Sequence, residues 1–528
     1  MTDQQTAPTT TLPAGPSAVA GTPRTGHPAP APARHRWAAL AVVCVGTMMA
    51  FVNVSSTIGA LSSIQTDLGA DATEIVWITS AYSLLVATLI LAAGTLADRI
   101  GRRLVFTAGA VFFLAGSLAA FTAGSAGVLI AAQAVMGIGG AMVLPAGLAV
   151  VTHLFVTPKE RTEAVSIWAG SSGLGLALGP LGSGFLLQAY SWHAVFLINV
   201  ALAVVTVAGA ARLVPESRHP QRRLDPVGIA LATLAIGSLT FGIIEGKSLG
   251  YTSPVILGSY ATAAAAAIVF ARYEARHRDP MMDVRLFASG SFSAVMGVAT
   301  LTMFGFTGTA LLTVLYLQHS QDLTALGASV RILAMFVPFI VISPLAAKLV
   351  HRIGFKFLLA LGAVIMSGGI FLLLTTLPEP DFSHLWPGLA AVGIGSGLLV
   401  APSTAAALTS VDQHKAGMAS SAVNMFRQLG NVLGASILGT ILTSQFTSNL
   451  TDRLTGAGLP ADTTDRIVNG AEHGSRTGTL PDGIAGLVHN AVHHAFTDAY
   501  HTALLVAAVA VAAVTVPTLL FVRHRPAA

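Results

Sequence analysis

The residues able to do chemistry in this sequence are few and sit mostly in short stretches between long apolar runs. The densest stretch is Gly94-Thr-Leu-Ala-Asp98-Arg99-Ile-Gly101-Arg102-Arg103. Its glycines permit close helix approach and a tight turn, and Asp98 offers an acceptor to a helix N-terminus or a neighbouring arginine. Such a cluster can latch one conformation of a protein that has two. Glu245 is the acid best placed near an apolar run, although Gly246 and Lys247 beside it suggest an interfacial position. Arg427 and Arg331 read as anchors near the ends of their runs. His489, His493, His494, Asp498 and His501 gather before the last run. His489 and His493 have a metal-compatible helical spacing, but the expectation is a solvated histidine face on an amphipathic lead-in helix, with no metal. No nucleophile triad, phosphate loop or paired-carboxylate site is present, so neither an enzyme nor a cofactor is expected.

The elements that must position these residues follow from composition. The chain has 528 residues, 53% hydrophobic and only 10% charged, with mean hydropathy +0.72. A soluble protein carries roughly 25% charged residues. Lipid can solvate this much apolar surface if the backbone pairs internally, and long unbroken runs select helices over a barrel. The net charge of +5 fits a topological excess of Lys and Arg rather than a nucleic-acid partner. Cys44 is the sole cysteine, so no disulfide can form within the chain.

Apolar runs of spanning length number about fourteen. Six lie within 37–213, two within 214–288 and six within 289–522, the last group including a long outer loop, 444–498. Residues 1–36 read as a Pro-rich disordered tail and 523–528 as a short one. With the N-terminus inside, the inner loops collect Arg99, Arg102, Arg103, Lys159, Arg161, Arg212, Arg218, Arg222, Arg223, Arg272, Arg276, Arg278, Arg285, Lys348, Arg352, Lys356 and Lys415, and the tail adds Arg523 and Arg525. The outer loops carry Asp67, Asp71, Glu74, Glu379 and Asp381, with Lys247 the lone basic exception. This asymmetry predicts an inner membrane protein with both termini cytoplasmic.

Three patterns of the first half recur in the second. Arg99-Ile-Gly101 matches Arg352-Ile-Gly354, Gly137-Ile-Gly139 with Pro145 matches Gly393-Ile-Gly395 with Pro402, and Gly175-xxx-Gly179 matches Gly430-xxx-Gly434. The offset stays within about 253 to 256 residues, as an internal duplication requires. Two such bundles facing each other enclose a central cavity that can open to either side by rocking.

On these residues the sequence resembles the major facilitator superfamily, and within it the fourteen-helix drug:proton antiporters of the QacA/EmrB type. The stretch from Gly94 to Arg103 resembles the family's conformational-switch loop; Trp77, Tyr82 and Trp192 to Asn199 (WHAVFLIN) also resemble that subfamily. Gly175, Gly179 and Pro180, with Gly182 and Gly184, resemble its antiporter motif in the fifth helix, although Ser183 stands where the first of a glycine pair is expected. The resemblance implies an all-α membrane protein of major facilitator fold, two six-helix bundles plus two linker helices. It implies export of small amphipathic or hydrophobic molecules such as antibiotics, by alternating access and proton antiport.

The sequence departs from the family at two positions. Asn53 replaces the usual aspartate of the first helix, and Gln133 the usual arginine of the fourth. An amide cannot exchange a proton. Loss of both partners avoids a buried unpaired charge, and the two amides can hydrogen-bond each other. Asn53, Gln133, Glu245 and Arg427 are therefore the candidate cavity or coupling positions. Two other readings remain open: an uncoupled facilitator of a neutral metabolite, and a non-transporting membrane sensor or partner.

Overall fold

The computed structural model describes residues 33–155, 157–217, 225–277, 282–376, 382–411, 416–472 and 482–522, with Thr2 and Pro280. The side chains of Arg218, Arg222, Arg223, Arg278, Glu379, Asp381, Lys415, Arg523, Arg525 and Lys159 lie outside the described residues, as do positions 3–32 of the tail.

Fourteen helices among the described residues are long and apolar enough to cross a membrane. The first group comprises α1 (Ala33–Leu68), α2 (Ala72–Ile100), α3 (Arg102–Phe121), α4 (Ala126–Leu154), α5 (Pro158–Leu186) and α6 (Val195–Leu213). The linker pair is α7 (Pro226–Leu249) and α8 (Pro254–Arg276). The second group comprises α9 (Gly290–His319), α10 (Ala325–Leu372), α11 (Trp386–Thr409), α12 (Ala416–Leu433), α13 (Gly439–Gly456), α14 (Ala461–Glu472), α15 (Asp482–Ala513) and α16 (Thr515–Phe521). Two spans share α10, which breaks at Gly354 (φ 75°). One wide π-turn, Gly434–Leu438, joins α12 to α13 within a single span. Short α14 is not a span, and α15 with α16 forms the last one.

Helix starts carry the polar groups that lipid cannot supply. Asp71 and Glu74 form a reciprocal capping box at α2, and Thr157, Asp225, Ser253, Ser289 and Thr324 each accept from a first-turn N–H. These caps satisfy donors otherwise orphaned at a membrane surface. Apolar side chains are left outside as well as inside: Val255, Leu257, Ile268 and Val269 on α8 are at least half exposed. Lipid is the solvent that makes such a surface stable.

Polar contacts define two faces. On one, Arg36 at the start of α1 pairs with Glu160 at the start of α5 at 3.3 Å, and the α2–α3 turn is bonded to Glu216 and Ser217 beyond α6. Arg99, Arg102, Arg103, Arg161 and Arg212 all belong to this basic face. On the other, Trp192 donates to Asp67 at 2.7 Å, and the α9–α10 turn meets α15 at His493 and Thr497.

The duplication is visible in the packing. Gly137 lies against the Tyr82 backbone of α2, and Gly393 against the Met335 backbone of α10. Gly175 lies against Met48 of α1, and Gly430 against Thr300 of α9. A Cβ at any of these glycines would strike backbone, so each repeated glycine fixes the same helix pair in its own half. The bundles meet symmetrically too, α5 against α10 and α12 against α2.

Two boundaries differ from expectation. Segment 444–498 is not a long loop: α13 runs on to Gly456, α14 follows, and the final helix begins at Asp482. Its polar residues hid helices that extend past the apolar limits of the spans. Helix α1 likewise begins at Ala33, inside the expected tail, and its Arg36 is held by Glu160.

Candidate functional site

The centre of the first bundle holds a network of neutral side chains. Asn53 Nδ2 of α1 donates to Gln133 Oε1 of α4 at 2.9 Å. Gln133 Nε2 donates onward to Thr57 Oγ1 at 3.0 Å. Asn199 Nδ2 of α6 donates to Asn53 Oδ1 at 2.9 Å. All four residues are buried. One amide plane thereby ties three helices, each bond satisfying a group that would otherwise be unpaired in a low-dielectric interior.

A narrow cleft borders this network, barely wider than a water molecule. The first bundle contributes Asn53, Thr57, Thr79, Tyr82, Ser83 and Gln133, and the second contributes Thr307, Leu311 and Ala435. None of its lining residues carries a formal charge. The Tyr82 hydroxyl is buried and has no hydrogen-bond partner among the described residues, and Gly140 of α4 leaves space for its ring. Across the cleft, Thr307 donates to Asn431 at 2.6 Å, and Asn431 donates to Gln428. This second neutral cluster had a sequence signal: Gln428 and Asn431 stand three apart on one helix face.

Around the cleft the bundles touch. Ser80 and Ser436 hydroxyls lie 3.1 Å apart, and the π-turn carries Ser436 into that position. Gln318 donates to the Gly59 carbonyl at 3.2 Å. Gly184 packs on Leu326 and Ser329 of α10, and Gly173 on Ile340. Gly179 faces Val52, Ser55 and Ser56 of α1, while Ser183 faces Gly59 and donates to the Pro180 carbonyl at 3.0 Å. The α5 glycines thus serve two seams, one within the bundle and one between bundles.

On the basic face, Asp98 Oδ1 accepts from Arg102 at 3.0 Å, and Arg102 also donates to the Ala149 carbonyl of α4 at 3.1 Å. Gly101 has φ 130°, and a Cβ there would meet the Glu216 carboxylate. Glu216, which the sequence did not single out, accepts from the Arg103 backbone N–H at 3.2 Å. Gly94 approaches Pro145 of α4. Arg99 is exposed.

The remaining candidates lie elsewhere. Glu245 is half-buried, accepting from Trp77 Nε1 at 2.8 Å and from Ser248 at 2.9 Å. It joins α7 to α2 but does not line the cleft. Arg427 is no surface anchor: its guanidinium reaches across to α11, donating to the Val400 carbonyl, to Ser403 at 3.1 Å and to Thr404 at 2.7 Å. Arg331 is held by Gln321 at 2.9 Å and by the Phe382 ring.

Residues 43–435 match the Major Facilitator Superfamily. The tetracenomycin C resistance and export protein of Streptomyces glaucescens is 30% identical, over 96% of this chain and 94% of its own. Multidrug resistance protein Stp of Mycobacterium tuberculosis is 30% identical, over 78% of this chain and 76% of its own. A solved bacterial homologue of the human lysosomal transporter Spinster, inward-facing and unoccupied, matches with TM-score 0.63 at 14% identity, over 94% of this chain and 100% of that one. At that identity the likeness is one of fold. Twelve spans in two facing, duplicated bundles around a cleft, with a linker pair besides, define a multi-pass membrane transport protein. The chain belongs to the Major Facilitator Superfamily, and it is a transporter rather than an enzyme.

Proposed function

We propose that the protein exports small, largely apolar molecules with one or two polar groups, antibiotics among them, across the inner membrane by alternating access. The bundles are residues 37–213 and 289–522, with 214–288 as linker, and the basic face is cytoplasmic. The observation that carries this reading is the cleft between bundles, apolar with uncharged polar groups and a Tyr82 hydroxyl that has no partner among the described residues. Such a surface suits an amphipathic ligand and has no ion pair for a charged one. A drug-sized ligand needs roughly 300–1,000 Å³, so the cleft must widen by separating the bundles. The α5 and α12 glycine seams let the helices shift, and the Asp98–Arg102 turn holds one of the two arrangements.

Proton antiport must use a group other than the amide network. Glu245 is the carboxylate assigned to coupling in this reading, since it is bonded to Trp77 of α2 and ionisable groups on membrane helices mark ion pathways. The neutral network favours a second reading, an uncoupled facilitator. Export of a fluorescent uncharged lipophilic dye from expressing cells, with and without a protonophore, separates the two. Export that collapses with the protonophore and in Glu245→Gln supports antiport. Protonophore-insensitive movement in either direction supports the facilitator, and Asn53→Asp/Gln133→Arg should then acquire proton dependence.

A further inference from the structure

We propose that Asp322, His489 and His493 form a binding site for a divalent transition-metal ion, zinc by preference, on the face opposite the basic loops. His493 Nε2 lies 3.2 Å from Asp322 Oδ2, and His489 Nε2 lies 3.8 Å from the same oxygen. The three ligand atoms all fall within 4.8 Å of one another. Zinc binds imidazole nitrogen and carboxylate oxygen at about 2.0–2.2 Å, which sets tetrahedral ligand atoms roughly 3.4 Å apart. The observed separations lie on both sides of that value, and the two exposed side chains, Asp322 and His489, can rotate about the more buried His493 to close the site. Two imidazoles and one carboxylate favour zinc and its neighbours over calcium or magnesium. A fourth position stays open to water.

The scaffold holds these groups from both sides. His489 and His493 are one turn apart on α15, and their rings stand 4.0 Å apart. Ser320 binds the His493 carbonyl at 3.3 Å and the Thr497 hydroxyl at 2.9 Å, which docks the α9–α10 turn on α15. Gln321 is fixed between Tyr316 and Arg331. Asp322 then takes φ 49°, the single positive φ at a non-glycine among the described residues, and that turn aims its carboxylate at the histidines. One turn further along, Asp498 pairs instead with Arg453 at 2.6 Å. A bound ion would tie the last span to the start of α10, the same stretch that meets Gly184 of α5. The seam between bundles would then respond to external metal.

The test uses the full-length protein in detergent, with any affinity tag removed. Zinc binding is measured by competition with a chromophoric chelator, and Co²⁺ by its visible absorption. One zinc per chain is expected, with affinity falling at least tenfold in His489→Ala, His493→Ala and Asp322→Gly but not in His494→Ala. Asp322→Gly removes the carboxylate while suiting the positive φ, so it separates ligand loss from misfolding. Zinc bound equally well by His489→Ala/His493→Ala, or no zinc bound at tens of micromolar by the folded wild type, would overturn the proposal.

Discussion

Replacing Asn53 with alanine removes two buried hydrogen bonds in one step. Asn53 donates to Gln133 and accepts from Asn199, each at 2.9 Å, so the variant orphans a Gln133 acceptor and an Asn199 donor. Asn53 and Gln133 are 1% exposed and Asn199 is fully buried, which leaves water little access to either orphan. An unpaired buried group costs about 1–3 kcal/mol, giving roughly 2–6 kcal/mol for the two. Gln133→Ala orphans the Asn53 amide from the other side. Because the two substitutions share one bond, the double variant should lose less than the sum of the singles, by about 0.5–3 kcal/mol. Unfolding can be followed with a thiol-reactive dye at Cys44, the sole cysteine, half-buried in α1. Additive losses, or an Asn53→Ala variant as stable as the parent, would refute the idea that the amides act as one network.

Tyr82→Phe removes a buried hydroxyl that has no partner among the described residues, so stability should hold or rise while affinity for a hydrogen-bonding substrate falls about tenfold, as loss of one hydrogen bond implies. Dye-export kinetics beside a melting curve would show the split, and equal affinity would remove Tyr82 from the binding surface. Gly179→Leu drives a side chain into Ser56 N, only 2.8 Å from a Cβ at that position, and Val52 O at 2.9 Å. Overpacking of this kind costs about 1–3 kcal/mol or more, and export should stop even in protein that elutes as a folded peak. Asp98→Asn should slow export several-fold and lower the melting temperature as well, because the Arg102 pair is only 15% and 21% exposed and the arginine loses its carboxylate partner. Unchanged export would reduce the turn to a topological signal.

Much of this architecture was legible in the residues because lipid imposes strict rules. Spanning length, basic loops and the repeated Gly-Ile-Gly and Gly-xxx-Gly patterns each follow from local composition, and the structure gives the repeated glycines equivalent neighbours in both halves. What escaped the sequence depends on contacts between distant segments. Glu216 reads as one acid in a polar connection until it lands on the Gly101 turn. Asp322 reads as a loop residue until a left-handed backbone turns it toward α15. Arg427 looked like an anchor because its acceptors on α11 exist only once the two helices pack. The helices within 444–498 were hidden for another reason: outside lipid, a polar helix lacks the apolar run by which spans are read.

The most direct test of the central claim is uptake of fluorescent apolar antibiotics into inside-out membrane vesicles from expressing cells, since export from the cell becomes uptake in that orientation. Accumulation above control vesicles is expected for amphipathic compounds, lost in Gly179→Leu and weakened in Tyr82→Phe. Vesicles that contain the folded protein yet accumulate no compound from a broad panel beyond control levels would contradict it.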